Sequence, residues 1–167
     1  GVLHHMEKPM AGWKVLVSCL KVGGLMKIGL YSELARQHIV KMREEIQQLN
    51  TETDHIGMKR FRNGVIRSKA PHHQLIISSP DFHSMGSLQD LLFHVQEHRF
   101  TIPQIQHCLT KLGLKFCGFE VGTITQDFKR TNSGEDDAYD LIKWHAYEQA
   151  HPHAFAGMYQ FWCQKVG

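Results

Sequence analysis

The sequence has few cysteines, few prolines and no long apolar run. Its 167 residues include five prolines and four cysteines, which are Cys19, Cys108, Cys117 and Cys163. No two cysteines form a Cys-x-x-Cys pair, so their spacing predicts no disulfide framework, and buried free thiols are the expected state. No apolar stretch reaches the roughly 18 residues of a membrane span, and no charged-then-apolar leader opens the chain. We therefore expect a soluble, cytoplasmic protein.

The charge balance is modest as well. Lysine and arginine number 19 against 16 acidic residues, which gives a formal net charge of +3. A dedicated nucleic-acid binder carries a larger and more clustered excess, so nucleic acid is not an expected partner. The exception is a basic stretch over residues 59–69, which is either a phosphate-binding face or an ordinary solvated face. At this length one domain over residues 1–167 is expected.

Apolar periodicity begins with a helix and a strand. Pro9 suits a first helical turn, and apolar residues then recur at helical spacing up to the glycine pair at 23–24, which predicts a left-handed stop. Residues 25–31 are apolar at nearly every position, as is typical of a strand covered on both faces. This pattern indicates an α/β protein.

A second helix is predicted directly after that strand. Ser32 is expected to cap it, with an inner seam that runs from Ala35 to Leu49. Arg36 is expected to face water. The resulting helix, strand, helix order is the crossover arrangement of α/β folds.

The rest of the chain adds a helical insertion and two strands. Glycines and prolines punctuate residues 51–113, which predicts an insertion of helices whose start signals include Ser87 and Thr101, the latter in a capping box with a glutamine three residues on. Residues 114–121 and 158–166 are rich in aromatic and β-branched side chains, which predicts two further strands.

The most specific short motif is HVQEH, in which His94, Glu97 and His98 match the H-x-x-E-H pattern of one class of zinc hydrolases. On one continuous helix the two histidines would share a face and hold zinc, with Glu97 as the base. The capping box at Thr101 predicts instead that this helix ends near His98, and polar residues lining a cleft are the alternative. Asp90 either orients His94 for acid–base chemistry or forms an ordinary solvated pair with it.

Two pairs of histidines are adjacent in the sequence, His4 with His5 and His72 with His73. Neighbouring side chains do not face the same way on a helix or a strand. We therefore expect neither pair to bind a metal ion, and we predict no metal site.

The first 36 residues, GVLHHMEKPMAGWKVLVSCLKVGGLMKIGLYSELAR, resemble a passage of class I S-adenosylmethionine-dependent methyltransferases. In that family the fourth strand ends in a segment like GVLHHM beside the methyl donor, a helix follows, and an LKPGG turn leads into the fifth strand. Val22 stands where the family usually has proline. The stretches DLLFHVQEHRFTIPQI, LGLKFCGFE and FAGMYQFWCQK are similar to later parts of the same family. The likeness is strongest to methyltransferase domains joined to tetratricopeptide repeats in bacterial proteins.

The resemblance implies a fold for the parent domain and indicates which part of that domain the chain represents. The expected fold is α/β, a partial Rossmann-like sheet with flanking helices, in which residues 25–31, 158–166 and 114–121 are the family's fifth, seventh and sixth strands, the seventh antiparallel. The family's glycine-rich donor loop and ribose-binding acid would precede the quoted segment, so the chain corresponds to the C-terminal half of the domain. S-adenosylmethionine is the cofactor implied for the parent protein, whereas the chain alone is expected to be inactive and to bind no cofactor.

The resemblance also implies site residues near the strand ends, where ligands of open α/β sheets bind. They are His4 and Met6 for the donor, His5, Tyr31 and His98 for the substrate, and Asp90, His94 and Glu97 as the catalytic group. The sequence does not indicate whether the methyl acceptor is a small molecule or a protein.

Without the family's fourth strand, one edge of residues 25–31 would be unpaired, and such edges recruit other chains. We therefore expect a homodimer or larger assembly through this edge, and no membrane partner. Two alternatives from other classes are the zinc hydrolase built on His94, Glu97 and His98 and a nucleic-acid-binding module built on the basic stretch at 59–69.

Overall fold

The computed structural model describes residues 2–93, 97–120 and 122–167. The chain divides into two compact units. The first, which we call the sheet unit, consists of Gly1–Ala35 and Gln96–Gly167, and the second, the helical unit, is Arg36–Val95. The assignment of the whole chain to one domain, with its insertion at 51–113, stays a prediction.

The strands lie in the first and last parts of the chain, and a run of helices separates them. In chain order they are α1 (Pro9–Ser18), β1 (Leu25–Ser32), α2 (Gln37–Gln48), α3 (His55–Arg67), α4 (Pro71–Ile77), α5 (Met85–Leu88), β2 (Arg99–Phe100), α6 (Ile102–Lys111), β3 (Leu114–Phe119), α7 (Thr123–Thr131), α8 (Leu141–Ala150) and β4 (Tyr159–Lys165). Short 3-10 turns lie at Leu3–His5, Pro80–Phe82 and Asp137–Tyr139, and a π-helical turn at Gln89–Phe93 follows α5. The mixed α/β class expected from the sequence is confirmed.

The sheet unit is built on four strands in the order β2, β1, β4, β3 within the described residues. The three strands indicated by the sequence lie side by side, with β4 antiparallel to both β1 and β3. Leu30 faces Tyr159 at one end of the β1–β4 pairing, and Leu25 faces Gln164 at the other. The short strand β2 was not expected, and it runs parallel to the end of β1.

The strand β1 is not covered equally on its two faces, which corrects the expectation from its apolar run. Ile28, Leu30 and Ser32 are buried, whereas Leu25 is 54% exposed and Lys27 is exposed. The neighbouring β4 alternates in the same way, as strands of antiparallel sheets commonly do. The buried face therefore meets one hydrophobic core.

That core is rich in aromatic rings. Phe128 of α7 and Trp144 of α8 stack at a centroid distance of 3.7 Å, and the Trp144 indole N–H donates to the Ala138 carbonyl. Trp13 of α1 packs against Phe161 of β4, and both side chains are fully buried. These contacts fasten the helices of the sheet unit to its strands.

Ser32 does not cap a helix, which corrects a second expectation. It is the last residue of β1, and its hydroxyl accepts a hydrogen bond from the Ala35 amide within a turn that precedes α2. The Glu33 amide donates to the Phe100 carbonyl, so sheet pairing continues past β1 and keeps the backbone out of a helix. Arg36 is buried rather than exposed to water.

The helical unit has a core of its own, contributed by α2 to α5 and the turns beside them. Its buried members are Ile39, Met42, Ile46, Phe61, Val65, Ile76, Phe82, Leu88 and Leu92. The inner seam predicted for α2 is therefore confirmed through Ile46, but Leu49 is 68% exposed because α2 ends before it.

Two helix start signals have different outcomes. The capping box of Thr101 and Gln104 forms at the start of α6, with both of its hydrogen bonds in place. Ser87, in contrast, is not a cap, because Ser84 accepts from the Ser87 amide and α5 begins at Met85. Ser84, which precedes Ser87 and has an extended backbone, is therefore the N-cap residue of α5.

All four cysteines are free thiols, but they are not all buried. Cys163 and Cys108 are buried, and burial raises the pKa of Cys163 to about 12. Cys19 is exposed because it follows the last residue of α1 on the surface, so the expectation of burial is wrong there. Among the described residues, no helix combines the length and the apolar character needed to cross a membrane.

Candidate functional site

Several of the residues singled out from the sequence meet at the C-terminal end of β1. The His4 ring centroid lies 4.0 Å from that of Tyr31, and the His5 ring lies 5.9 Å from it. The His98 amide donates to the His4 carbonyl at 2.7 Å, which brings the segment before β2 to the same place. We call His4, His5, Tyr31 and His98 the strand-end cluster. It occupies the position at which ligands of open α/β sheets bind.

The local sequence explains why both histidines reach Tyr31. Residues Leu3–His5 form a single 3-10 turn ahead of α1, and the His4 Nδ1 lies 3.3 Å from the Gly29 carbonyl oxygen in β1. Since a carbonyl oxygen only accepts, Nδ1 carries the proton and Nε2 keeps its lone pair. The His4 side chain is thereby fixed in one tautomer against the strand.

His4 is held in the uncharged form. Burial, followed by the nearby His5, lowers the pKa of His4 to about 4. A group with this pKa is a weak proton acceptor at neutral pH, so His4 is better suited to orient a ligand than to deprotonate one. It also carries no positive charge that would repel a cation.

Charged groups border the cluster on the side of β2. The Arg99 Nε donates to Glu33 Oε2 at 3.0 Å, and Arg99 Nη1 lies 3.9 Å from Glu97 Oε1. The Glu97 side chain is 2% exposed, and its negative charge acts on His4. A carboxylate is therefore present next to the aromatic rings, and the catalytic role expected of Glu97 stays a prediction.

A buried polar network lies at the same end of β1, and sequence reasoning missed it. The Ser32 hydroxyl and the Tyr159 hydroxyl both donate to Glu148 Oε1, and all three side chains are buried. Burial and the hydrogen bond to Glu148 raise the pKa of Tyr159, so it stays a donor. The sequence held one signal for the burial of Glu148, which lies at helical spacing from Leu141 and Trp144 on the same face of α8.

Met6 and Asp90 were also assigned to the site from the sequence. Met6 is 37% exposed, and its sulfur lies over Gly12 of α1, so close that a Cβ on Gly12 would collide with it. Asp90 is an exposed residue of the π-helical turn in the helical unit. His94 lies outside the described residues, and so does its pairing with Asp90.

The helix required by the zinc-hydrolase alternative does not reach His98. Glu97 and His98 have no helical structure and lead directly into β2. His98 therefore does not lie on a helix, and where the preceding helix ends is outside the described residues.

A second cluster, in the helical unit, corrects the expectation that adjacent histidines diverge. His72 Nε2 and His73 Nε2 each lie 2.6 Å from an oxygen of Glu45, and their ring centroids are 4.3 Å apart. The two histidines occupy the first turn of α4 after Pro71, where both rings reach the side chain of α2. Partial burial tends to raise the pKa of Glu45, but the hydrogen bonds from His73 and His72 outweigh it, and the pKa is lowered.

Comparison with known proteins identifies the fold. No protein-family model matches the chain. It is 29% identical over 161 residues to a protein of Synechococcus sp. that is described as uncharacterised, and the match covers 88% of the chain and 38% of that protein.

The structure is similar to that of PKMT2 from Rickettsia typhi, a protein lysine methyltransferase, with a TM-score of 0.64 and 13% sequence identity. This similarity covers 99% of the chain and 34% of PKMT2. The chain thus spans little more than a third of the length of these relatives, and it has a methyltransferase-like fold.

Proposed function

We propose that this chain is the acceptor-side portion of an S-adenosylmethionine-dependent methyltransferase. The observation that carries the proposal is the strand-end cluster, which sits at the ligand-binding edge of a methyltransferase-like fold. The resemblance of residues 1–36 to the family supports it independently. In this proposal β1, β4 and β3 are the family's fifth, seventh and sixth strands.

The strand-end cluster fits a positively charged ligand group. The ring centroids of Tyr31, His4 and His5 lie within 6 Å of one another. A cation placed against this group would therefore be close to more than one ring, and aromatic faces attract cations that lie within about 6 Å. His4 is uncharged, and the Glu97 carboxylate acts on it. A sulfonium group and an alkylammonium group are both cations of suitable size.

The fit with the whole donor is partial. The glycine pair Gly23 and Gly24 precedes β1, and its amides already donate to the carbonyls of Lys165 and Lys21. These amides are therefore not free to hold the carboxylate or ribose of a nucleoside ligand. We propose that the nucleoside part is bound by residues of a longer protein, with His4 and Met6 next to the methyl group.

The chain's own residues would bind and orient the reacting groups. S-adenosylmethionine supplies an electrophilic methyl group when it is bound. The rings of His5 and Tyr31 would hold the acceptor in line with that group, and His98 would complete the binding surface. Glu97 would accept a hydrogen bond from the acceptor or take its proton. The catalytic roles of Asp90 and His94 stay predictions.

Alanine substitution of His5 or Tyr31 in the complete protein should lower kcat/KM for methyl transfer about 10-fold, since a cation contact of about 1–2 kcal/mol is lost. Transfer of labelled methyl groups to a lysine-containing protein is the first assay, because PKMT2 acts on protein lysine. The matched control is His153→Ala, an exposed histidine of the same unit, which should retain activity.

Equal activity of His5→Ala, Tyr31→Ala and the control would contradict the proposed site. A complete protein that transfers no methyl group to lysine or to any other acceptor would contradict the function. The 167-residue chain should show no micromolar affinity when it is titrated calorimetrically with S-adenosylmethionine, and tight binding would show that the donor site is wrongly assigned.

We also propose self-association through the edge of β1. The strand β2 pairs with β1 at Tyr31 and Ser32, so in the described part of the chain the same edge of residues 25–30 has no neighbouring strand. An unpaired edge with an exposed Leu25 offers a template for a second copy.

Light scattering after size-exclusion chromatography should give at least twice the mass of the chain. Leu25→Lys should shift the protein to monomer, because a lysine on a sheet edge disfavours pairing with another chain. The control Val15→Lys changes an equally exposed apolar residue of α1 and should not alter the mass. A monomeric unsubstituted chain would rule this association out.

A further inference from the structure

The cluster of Glu45, His72 and His73 has no role in the proposed methyl transfer. One potential ligand atom from each residue lies within 4.8 Å of the other two. The side chains of His72 and His73 are 20% and 12% exposed, and that of Glu45 is 31% exposed. Three ligating groups are therefore gathered in a partly buried place between two helices of one unit.

The donor set is one that transition metals prefer. Two imidazole nitrogens and one carboxylate oxygen form a common three-residue zinc set, whereas magnesium and calcium prefer oxygen ligands alone. Zinc bonds of about 2.0–2.2 Å require neighbouring ligand atoms to stand roughly 3.3 Å apart. The 2.6 Å contacts of Glu45 would thus open by less than 1 Å, which small rotations of the side chains allow.

A cavity of about 490 Å³ adjoins the cluster and gives access to it. Glu45 and His73 line this cavity, together with Arg60, Phe61 and Glu52. A zinc ion held by three protein ligands keeps a fourth position for water or another ligand. The cavity supplies room for that fourth ligand.

We propose that Glu45, His72 and His73 bind one divalent transition-metal ion of the zinc class, with its fourth coordination position open to the cavity. The adjacent Arg60 would favour an anion or a metal-bound water at that position. This site goes beyond the proposed methyl transfer and does not depend on it.

Equilibrium dialysis of the 167-residue chain against zinc, followed by elemental analysis, should give one ion per chain that millimolar calcium or magnesium does not displace. Loss of an outer-shell partner of a metal ligand costs about 10- to 100-fold in affinity, so His73→Ala and Glu45→Gln should each cost at least that much. The matched control is His55→Ala, an exposed histidine of the same unit, which should bind as tightly as the unsubstituted chain.

X-ray absorption of the zinc-loaded, unsubstituted chain gives a readout that does not depend on the folding of variants. We expect two imidazoles and one carboxylate in the first coordination shell of the zinc. Less than half an ion per chain, binding that His73→Ala and Glu45→Gln leave unchanged, or a first shell without paired imidazoles would each overturn the site.

Discussion

Glu148→Ala is expected to lower the free energy of unfolding by about 3–5 kcal/mol. The substitution removes the oxygen that accepts hydrogen bonds from both the Ser32 and the Tyr159 hydroxyls. Both hydroxyls are fully buried, and each loses its acceptor at a cost of about 1–3 kcal/mol, to which the cavity left by the side chain is added. Urea denaturation followed by circular dichroism measures the change.

Two variants separate the network from simple loss of volume. Glu148→Gln keeps a side-chain oxygen at nearly the same position, so it should cost clearly less than Glu148→Ala. Tyr159→Phe removes one donor and leaves the bond from Ser32, and it should cost about 1–2 kcal/mol. If alanine and glutamine at position 148 have the same effect, the hydrogen bonds do not contribute as we describe.

The second large effect is a loss of stability in mild acid caused by His4. Its pKa falls from an ordinary 6.5 to about 4 in the folded chain, because burial and then His5 disfavour the charged form. Between these two values the unfolded chain binds a proton that the folded chain does not. The stabilising contribution is thus complete above pH 6.5 and is lost as the pH falls towards 4. A shift of this size corresponds to about 3 kcal/mol.

His4→Asn is the variant that tests this contribution. The asparagine amide can take the place of Nδ1 as donor to the Gly29 carbonyl, but it does not titrate. The unfolding free energy of the unsubstituted chain should fall more steeply between pH 6.5 and pH 4 than that of His4→Asn, by about 3 kcal/mol in total. Parallel profiles for the two proteins would mean that His4 is not held uncharged.

The same variant bears on the proposed function. If an uncharged His4 is needed beside a cation, methyl transfer by the complete protein should decline as His4 becomes protonated, below about pH 4 in the folded state. His4→Asn should remove this decline. One residue of the strand-end cluster, His4, would then affect both the stability and the activity of the protein in acid.

Local features of the sequence were sufficient for most of the sheet unit's elements. The apolar runs of β1, β3 and β4, the capping box of α6 and the left-handed Gly23 ahead of β1 depend on residues a few positions apart. Periodicity, capping and glycine conformation act over that range and can be recognised in a single chain. The helix α7 was missed, because residues 123–131 are largely polar and only Thr125 and Phe128 are buried.

The candidate site was only partly predictable, because some of its contacts join residues that are far apart in the chain. The His4, His5 and Tyr31 group was expected because the resemblance, together with the strand-end rule, places those residues near one another. Glu148 lies 116 residues from Ser32, and no local pattern connects the two. Its position depends on tertiary contacts that bring α8 to Ser32 at the end of β1 and to Tyr159 at the start of β4.

The sequence by itself determined the α/β class, the three main strands and the likeness to methyltransferases, since these follow from local patterning and from quoted segments. Tertiary packing alone decided that Ser32 ends a strand, that Glu148 joins two hydroxyls, and that His72 and His73 converge on Glu45. Each of these depends on groups distant in the chain, whose mutual positions are set by the burial of apolar surface and the satisfaction of buried polar atoms.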